Sequence, residues 1–317
     1  MADDKYPHRV GWIGTGRMGA ALVARLLASN VDLWVYNRTR AKAEPLADKG
    51  AKIVDSPAEL AERDIVFTMV AGPEDVLEVT LGDEGVLAQP NSRPQILVDS
   101  TTIDGPTSET LTARAGELGT AVLAAPVSGN PKVVKAGRLT SVVSGPMQAF
   151  ETALPYLELF GRKVTYVGEG DEARLVKICH NLMLGVVTQS LAEITVLAEA
   201  AGVSRADFLD FLNDSVMGSA FSRYKAPAFV NLDYTPTFTP ILLRKDFDLG
   251  LALARENDVP MPLAAATAQL VQASVGSGRI DEDFAILLDL QAANSGLELK
   301  PENVVVDDGL GAADEKE

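Results

Sequence analysis

Three polar side chains, Lys177, His180 and Asn181, interrupt the apolar run RLVKICHNLML. Positions i, i+3 and i+4 share one face of an α-helix, so an ammonium, an imidazole and an amide would stand together. Such groups are costly in apolar surroundings unless something satisfies them. A partly buried lysine can donate a proton near neutral pH, which suits reduction of a carbonyl, and Asn181 could orient it. Spacing alone favours an ordinary helix with a few satisfied polar groups, since helical lysines are usually solvated.

A glycine-rich turn near the start of the chain is a second candidate for chemistry. It reads Gly14-Thr15-Gly16-Arg17-Met18-Gly19, which is a G-x-G-x-x-G spacing. The first glycine permits the bend, the second lets a pyrophosphate approach the backbone, and the third lets helix and strand pack closely. The N-terminus of the following helix would face the phosphates. A strand-like segment before the turn and a helix-like one after it favour dinucleotide binding over a glycine-rich turn without a ligand.

The segment after the second predicted strand indicates which dinucleotide would bind. An NAD site usually has a carboxylate there for the ribose 2′-hydroxyl. This chain instead has Asn37, Arg38 and Thr39, with Arg40 and Lys42 beyond. Arg38 can clamp a 2′-phosphate and stack on the adenine, and Lys42 can add charge. We therefore predict NADP(H) rather than NAD(H), the ordinary alternative being a basic, solvated loop.

Composition excludes several other classes of function. The chain has 317 residues, 47% of them hydrophobic and 23% charged, as in a globular protein of one or two domains. A formal net charge of −16 argues against general binding to nucleic acid or to an anionic membrane. Cys179 is the only cysteine and His8 and His180 the only histidines, so we predict neither a disulfide nor a metal site. We expect Cys179 to fill core space.

The chain begins with polar residues, and no apolar run looks long and clean enough to span a membrane. Both features predict a cytoplasmic protein.

Strand-like and helix-like segments alternate through the first half of the chain. The strand-like segments are 10–14, 31–37, 64–70, 95–100, 121–127, 140–145 and 163–168. Alternation of this kind predicts an α/β domain over residues 1–168, a Rossmann-type doubly wound parallel sheet that binds a dinucleotide.

Beyond Gly168 the strand signal stops. One long helix-like run covers 172–202 and ends at a glycine, and further helices are predicted near 204–213, 240–257, 262–275 and 281–294. This predicts an all-helical substrate and dimerisation domain over 169–298, entered by a long interdomain helix. Residues 299–317 form an acidic tail that we predict to be disordered. Apolar residues on most faces of the long helix predict a homodimer or larger homo-oligomer.

Several segments in this order resemble the β-hydroxyacid dehydrogenase family, which includes 3-hydroxyisobutyrate dehydrogenases and glyoxylate/succinic semialdehyde reductases. The resemblance runs from Val10 to about Gly296. The segments are VGWIGTGRMGAALV, VDSTT, APVSGNPKVVKAGRLT, GEGDEARLVKICHN and RKDFDLGLA. The fourth looks like the family's catalytic motif, G-x-G-x-x-x-K-x-x-x-N, with three extra residues between the second glycine and the lysine.

The resemblance implies NADPH-dependent hydride transfer to the carbonyl of a small aldehyde or keto acid, or the reverse reaction. It makes Lys177 the proton donor and Asn181 its partner. The substrate contacts implied are Ser128, Gly129, Asn130, His180 and Phe238, the last being equally plausible as a core aromatic residue. The cofactor contacts implied beyond the glycine turn and the Arg38 segment are Val70, Ala71, Thr102 and Lys245.

The chain also departs from the family pattern. Ala124 stands where the family often has Asp, and Asn130 where it commonly has Gly, followed by Pro131 and Lys132. These changes alter the floor of the substrate pocket. Lys132 could recognise a second acid or a phosphate, although a surface lysine is the ordinary interpretation. Lys-x-x-His-Asn is also similar to the 6-phosphogluconate dehydrogenases, which is why His180 is a candidate substrate contact.

Two alternatives stay open. Imine reductases share this architecture but usually carry Asp or Tyr at the lysine position, so Lys177 favours carbonyl reduction. A non-catalytic dinucleotide-binding module would be expected to lack the lysine.

Overall fold

The computed structural model describes residues 5–311, which form two compact units that divide between Lys177 and Ile178. The first unit contains a six-stranded parallel sheet in the order β3-β2-β1-β4-β5-β6. Its strands are β1 (Val10–Ile13), β2 (Leu33–Tyr36), β3 (Lys52–Ile53), β4 (Ile65–Thr68), β5 (Ile96–Asp99) and β6 (Ala121–Ala124). This order is that of the dinucleotide-binding doubly wound fold, which confirms the predicted fold class.

Burial explains why these short segments are strands. Every residue of β1, β4 and β5 is buried, as expected for parallel strands that are covered on both faces. The helices that accompany the sheet are α1 (Arg17–Ala28), α2 (Glu44–Ala47), α3 (Pro73–Leu81) and α4 (Gly105–Glu117). Strand β3 was not predicted, because two residues carry too little pattern to be recognised.

A second, three-stranded sheet completes the first unit. It consists of β7 (Val127–Ser128), β8 (Leu139–Val143) and β9 (Gly161–Tyr166), with α5 (Pro131–Lys135) and α6 (Met147–Leu157) between them. Strand β7 runs antiparallel to β8, and β9 runs parallel to it. The single strand predicted over 121–127 is therefore divided between two sheets. The division falls at Pro126, which has no N–H to donate to a strand ladder.

The second unit is helical, as predicted. Helix α7 (Glu172–Ala200) begins in the first unit and continues here, followed by α8 (Arg205–Asp214), α9 (Ala220–Asn231), α10 (Pro240–Glu256), α11 (Pro262–Gly276) and α12 (Leu287–Asn294). Phe229, Leu243, Phe247 and Leu288 are fully buried in its core. Helix α9 was not predicted, since it contains Pro227, and an interior proline normally argues against a helix. The division at Lys177 lies within α7 rather than at Gly168, where the strand signal ends.

Part of the predicted disordered tail is ordered. Arg205 is completely buried, and its guanidinium donates to the carbonyl oxygen of Lys300 at 2.5 Å. The Glu302 carboxylate accepts hydrogen bonds from the backbone N–H groups of Arg205 and Ala206, at 2.7 and 3.0 Å. An acidic side chain at the first turn of α8 also suits the helix dipole. The prediction of disorder is therefore wrong for this segment, while residues 312–317 of the predicted tail lie outside the described residues.

One helix corrects an expectation about membrane spans. Helix α7 is long and apolar enough to cross a membrane by length and composition, contrary to the sequence-based expectation. Half of its most apolar 18-residue window is buried inside the structure. Core helices of soluble proteins pass the same criterion, so length and composition here are weak evidence of a span.

Candidate functional site

The parallel sheet of the first unit brings most of the predicted cofactor residues to one edge. Gly14–Gly19 follow β1, Asn37–Lys42 follow β2, Val70 and Ala71 follow β4, and Thr102 follows β5. The carboxyl ends of parallel strands meet at the same edge of a sheet. In open sheets of this order the dinucleotide binds at the crevice where the strand order reverses, here between β1 and β4.

The glycine turn has the geometry that a pyrophosphate requires. A Cβ on Gly14 would lie 2.2 Å from the Met69 carbonyl oxygen, and one on Gly19 would lie 2.0 Å from the Gly14 carbonyl oxygen. The Trp12 indole N–H donates to the same Gly14 oxygen at 2.8 Å. Gly16 differs from both, because a Cβ there would meet no atom of the described residues within 4 Å. The two tight glycines hold strand and helix together, and the open one leaves room for a ligand.

The N-terminus of α1 is available to such a ligand. Gly16 occupies the N-cap position and, as a glycine, has no side chain of its own to cap the helix. Gly16 and Arg17 are exposed, and Met18 is half-buried. A helix N-terminus with uncapped N–H groups favours an anion. A dinucleotide pyrophosphate therefore fits the residues that are present.

Asn37, directly after β2, links this strand end to the glycine turn. Its side-chain oxygen accepts a hydrogen bond from the Thr15 backbone N–H at 2.7 Å, and its amide donates to the Thr39 carbonyl at 2.9 Å. The neighbouring Arg38 side chain is 76% exposed and pairs with the Asp75 carboxylate at 2.8 Å. The position where NAD sites place an acid thus fastens the glycine turn, while a guanidinium stands beside it at the surface. Lys42 is also exposed.

The loops after β4 and β5 are joined by residues that sequence reasoning missed. Thr101 is 3% exposed, and its hydroxyl accepts from the Val70 backbone N–H at 3.1 Å. Asp99 is completely buried and accepts from the Thr68 hydroxyl at 2.6 Å. Thr101 precedes the predicted cofactor residue Thr102, which is half-buried. Asp99 and Thr101 both belong to the segment VDSTT, but only its last threonine, Thr102, was predicted to have a role.

The predicted anion-holding residues lie on β7 and the turn after it. Ser128 is half-buried in β7, paired with β8. Gly129 has φ of +138°, and a Cβ there would come within 2.8 Å of Val133 Cγ1. The conformation and the crowding both require glycine.

Asn130, which was predicted to contact the substrate, has a structural role at the start of α5. Its side-chain oxygen accepts from the backbone N–H groups of Lys132 and Val133, at 2.9 and 3.1 Å, and so caps α5. Pro131 follows at the first helical position. Asparagine is a strong N-cap residue, and proline is favoured at the next position. The departure from the family's glycine is thus accounted for by a helix cap.

Lys177 is half-buried in the first unit, one helical turn after Arg174, a 4% exposed side chain. Arg174 pairs with buried Asp99 at 2.9 Å and with Asp171 at 3.0 Å. Burial raises the pKa of the Asp171 carboxyl above its ordinary value, although Ser108 and Arg174 act in the opposite direction. Neither Arg174 nor Asp99 was singled out from sequence.

In the second unit the structure brings together Asn181, Asp246 and Lys245. The Asn181 amide donates to the Asp246 carboxylate at 2.6 Å, and both side chains are nearly inaccessible, at 3% and 2% exposure. The Lys245 ammonium lies 3.7 Å from the same carboxylate. His180 is exposed, and its Nδ1 lies 2.9 Å from the Asn181 side-chain oxygen. Asp246 was missed, although it stands beside Lys245 in RKDFDLGLA.

Phe238 is half-buried and forms a T-shaped pair with Phe284, with ring centroids 5.8 Å apart. Its segment is held by Asp283, which accepts from the Thr237 hydroxyl at 2.6 Å and from the Lys225 ammonium at 2.5 Å. Burial alone would raise the pKa of Asp283, but Lys225 and the hydrogen-bond donors hold that pKa below its ordinary value. The aromatic contact agrees with a core role, and a substrate contact remains a prediction.

Two further expectations concern cysteine and metals. Cys179 is exposed, so the prediction that it fills core space is wrong. Its exposure follows from the helical period, because Cys179 lies off the buried face that carries Asn181 and Leu182. Across residues 5–311, no group of three or more His, Cys, Asp or Glu side chains is placed to hold a metal ion.

Comparison with known families accounts for both halves of the chain. Residues 9–168 match the NAD binding domain of 6-phosphogluconate dehydrogenase. Residues 171–291 match the family described as NAD-binding of NADP-dependent 3-hydroxyisobutyrate dehydrogenase.

Individual proteins that are similar to this chain have names that match these families. Glyoxylate/succinic semialdehyde reductase 2, a chloroplastic protein of Arabidopsis thaliana, is 30% identical over 90% of this chain and 80% of its own length. The crystal structure of a 3-hydroxyisobutyrate dehydrogenase from Salmonella typhimurium superposes with a TM-score of 0.80 at 26% identity, over 89% of this chain and 99% of that one.

An imine reductase from Myxococcus stipitatus in complex with NADP+ has a TM-score of 0.58 at 24% identity, over 89% of this chain and 99% of that one, and shares the fold. The glycine turn, the strand order and the two family matches lead to one conclusion: the chain belongs to the β-hydroxyacid dehydrogenase family and is an NAD(P)-dependent oxidoreductase that acts on hydroxyl or carbonyl groups.

Proposed function

We propose that this protein is an NADPH-dependent reductase of small aldehyde or keto acids, with Lys177 as the proton donor. The observation that carries the proposal is the buried hydrogen bond between Asn181 and Asp246, at 2.6 Å. Helical spacing places Asn181 one turn after Lys177 on the same face of α7. Burying a carboxylate and an amide costs free energy that their hydrogen bond only partly offsets. Apolar residues would stabilise this helix as well, so the pair indicates a role in function.

Each polar residue then has a distinct task. A bound nicotinamide dinucleotide supplies the hydride. Lys177 delivers a proton from Nζ to the substrate oxygen as that oxygen gains charge. Asn181, held by Asp246, orients the groups on its face of the helix. Ser128 and the backbone of Gly129 hold the substrate carboxylate by hydroxyl and N–H donors.

The preference for NADPH is supported by the end of β2. Asn37 is occupied with the Thr15 backbone, and no acid stands between it and Lys42. Arg38 carries a largely exposed guanidinium, whose planar fork matches a 2′-phosphate. The description of the second family match as NADP-dependent is consistent with this preference.

The proposal is tested with Lys177→Ala and a matched control, Lys163→Ala, which changes an exposed lysine on β9. Both variants are compared with the unaltered protein for NADPH oxidation on glyoxylate, succinic semialdehyde, small keto acids and cyclic imines. NADPH affinity and the melting temperature are measured in parallel.

We expect Lys177→Ala to lower kcat by roughly 10²- to 10⁴-fold, the usual contribution of a positioned general acid. NADPH affinity and melting temperature should stay near those of the unaltered protein, and Lys163→Ala should keep full activity. Full turnover of Lys177→Ala on every accepted substrate would remove Lys177 from the mechanism. If the unaltered protein turned over only cyclic imines, the proposed substrate class would be wrong and imines would take its place.

A further inference from the structure

The first turn of α7 is fastened to the sheet by one buried side chain, Arg174. Its guanidinium reaches in three directions. Nε lies 3.0 Å from the Ser108 hydroxyl and 3.0 Å from Asp171 Oδ1, and one terminal nitrogen donates to the Thr101 carbonyl at 2.8 Å. The other terminal nitrogen lies 2.9 Å from Asp99 Oδ2. Arg174 therefore contacts the end of β5, the loop after β5, and helix α4 at once.

The contacts continue from Asp99 into the loops at the cofactor edge. Asp99 Oδ1 accepts from the Thr68 hydroxyl at 2.6 Å and from the Thr101 backbone N–H at 3.2 Å. Thr101 in turn accepts from the Val70 backbone N–H at 3.1 Å. One connected set of hydrogen bonds thus joins the start of α7 to the loops after β4 and β5. All of these residues belong to the first unit, as does Lys177.

The burial of Arg174 and Asp99 indicates the role of this set of contacts. The Arg174 and Asp99 side chains are 4% and 0% exposed, so both charges have lost most of their hydration. A buried ion pair is weak evidence for stability, because apolar residues of similar volume often do as well. Its better-attested use is to select one register between packed elements. A planar guanidinium with partners in three directions fixes the rotation of the helix as well as its position along the axis.

We infer that Arg174 is a positioning residue that sets Lys177 against the loops at the cofactor edge. Lys177 lies three positions after Arg174, which makes the two side chains neighbours on α7. The inference rests on the proposed role of Lys177 as proton donor. A shift of about 1 Å in a reacting group can cost about 10²-fold in rate, so the orientation of this helical turn matters to catalysis.

The test separates positioning from stability with four variants. Arg174→Lys keeps a buried positive charge beside Asp99 but loses the planar fork. The double variant Arg174→Met with Asp99→Asn removes both charges, so that neither is left buried without its partner. Arg63→Met and Arg63→Lys are the matched controls, since Arg63 is also 4% exposed, pairs with Asp32 at 2.5 Å and lies in the same unit.

The measurements are kcat and KM for the carbonyl substrate, NADPH affinity, the isotope effect with deuterated NADPH, and the melting temperature. We expect both Arg174 replacements to lower kcat by about 10²-fold while NADPH binding changes by less than about threefold. The isotope effect should change because the reacting groups are misplaced. The Arg63 variants should lower the melting temperature and leave kcat unchanged when assayed folded.

Three results are decisive. If Arg174→Lys and the double variant turn over at the unaltered rate while Lys177→Ala does not, the positioning role is wrong and the proposed function stands. If Lys177→Ala keeps full turnover, the proposed function fails and the positioning role fails with it. If kcat falls in step with melting temperature for the Arg63 and Arg174 variants alike, Arg174 serves stability only. Should the double variant not fold, Arg174→Lys alone decides.

Discussion

Arg38 forms an ion pair within the protein and is also the residue that we propose binds a cofactor phosphate. Its guanidinium pairs with Asp75, a carboxylate in the first turn of α3, at 2.8 Å. With 76% of the side chain exposed, this pair is screened by solvent and stabilises the fold little. A 2′-phosphate carries more charge than a carboxylate and matches the guanidinium fork as well, so it can displace Asp75. The weak pair with Asp75 therefore leaves Arg38 able to exchange its partner for the proposed 2′-phosphate.

We predict that Arg38→Ala lowers kcat/KM for NADPH by roughly ten- to a hundredfold, because a hydrogen bond to a charged group contributes about 1.5–3 kcal/mol. The value for NADH should hardly change. Steady-state kinetics with both cofactors measures this, and Arg114→Ala, which breaks an exposed ion pair with Glu117 at 3.0 Å, is the control. An unaltered preference in Arg38→Ala would assign the selectivity elsewhere, and a preference of the unaltered protein for NADH would refute our interpretation of this loop.

At the scale of an element, the β1–α1 turn separates two uses of glycine. Gly14 and Gly19 allow strand β1 and helix α1 to approach, and atoms already occupy the space where a Cβ would stand. Gly16 faces open space and has ordinary backbone angles, with φ of −62°. Packing within the described part of the chain does not require glycine at this position. Glycine is favoured over alanine at an N-cap, and the open space beside Gly16 is what an approaching pyrophosphate needs.

We therefore expect opposite behaviour from two alanine variants. Gly16→Ala should lose no more than about 1 kcal/mol of unfolding free energy, because alanine is a poorer N-cap than glycine, but should lose most of its dinucleotide affinity. Gly19→Ala should lose about 1–3 kcal/mol of unfolding free energy through overpacking, whether or not a dinucleotide is present. Denaturant unfolding and titration with NADPH distinguish the two. Tight NADPH binding by Gly16→Ala would place the pyrophosphate away from this turn.

At the scale of the whole molecule, the second unit leaves large apolar side chains exposed. Met183 and Leu197 on α7 are 68% and 69% exposed, and Leu263 on α11 is 71% exposed. Single exposed apolar residues are common, but several large ones in one small unit favour association. Since the chain is acidic, with a formal net charge of −16, association must overcome general repulsion between copies.

We predict a homodimer or larger assembly, measured by sedimentation equilibrium. Replacing Leu197 with Glu should shift the population towards monomers, because a charge cannot be buried in an apolar interface without a partner. Gln148→Glu, which makes the same one-unit charge change at an exposed position on α6, is the control for a charge change alone. A monomer at all concentrations would contradict the prediction.

Local patterns in the sequence were sufficient for much of this protein. The glycine turn, the basic segment after β2 and the polar face of α7 each lie within a few residues, so their periods and spacings indicate both structure and chemistry. The helical second unit and the parallel sheet followed for the same reason. The misses have local causes as well. Strand β3 is too short to show a pattern, Pro227 lies inside α9, and Pro126 divides a continuous apolar run between two sheets.

Only the tertiary structure decided how the chemical groups are held. Asn181 and Asp246 lie 65 positions apart, and Arg174 and Thr101 lie 73 apart, so no local pattern could pair them. The ordered tail has the same explanation, since Glu302 caps a helix that begins at Arg205. Local sequence determines which elements form, because backbone preference and hydrophobic period act over a few residues. Which buried charges meet depends on how distant elements pack, and here that packing places Asp99 against Arg174 and Asp246 against Asn181.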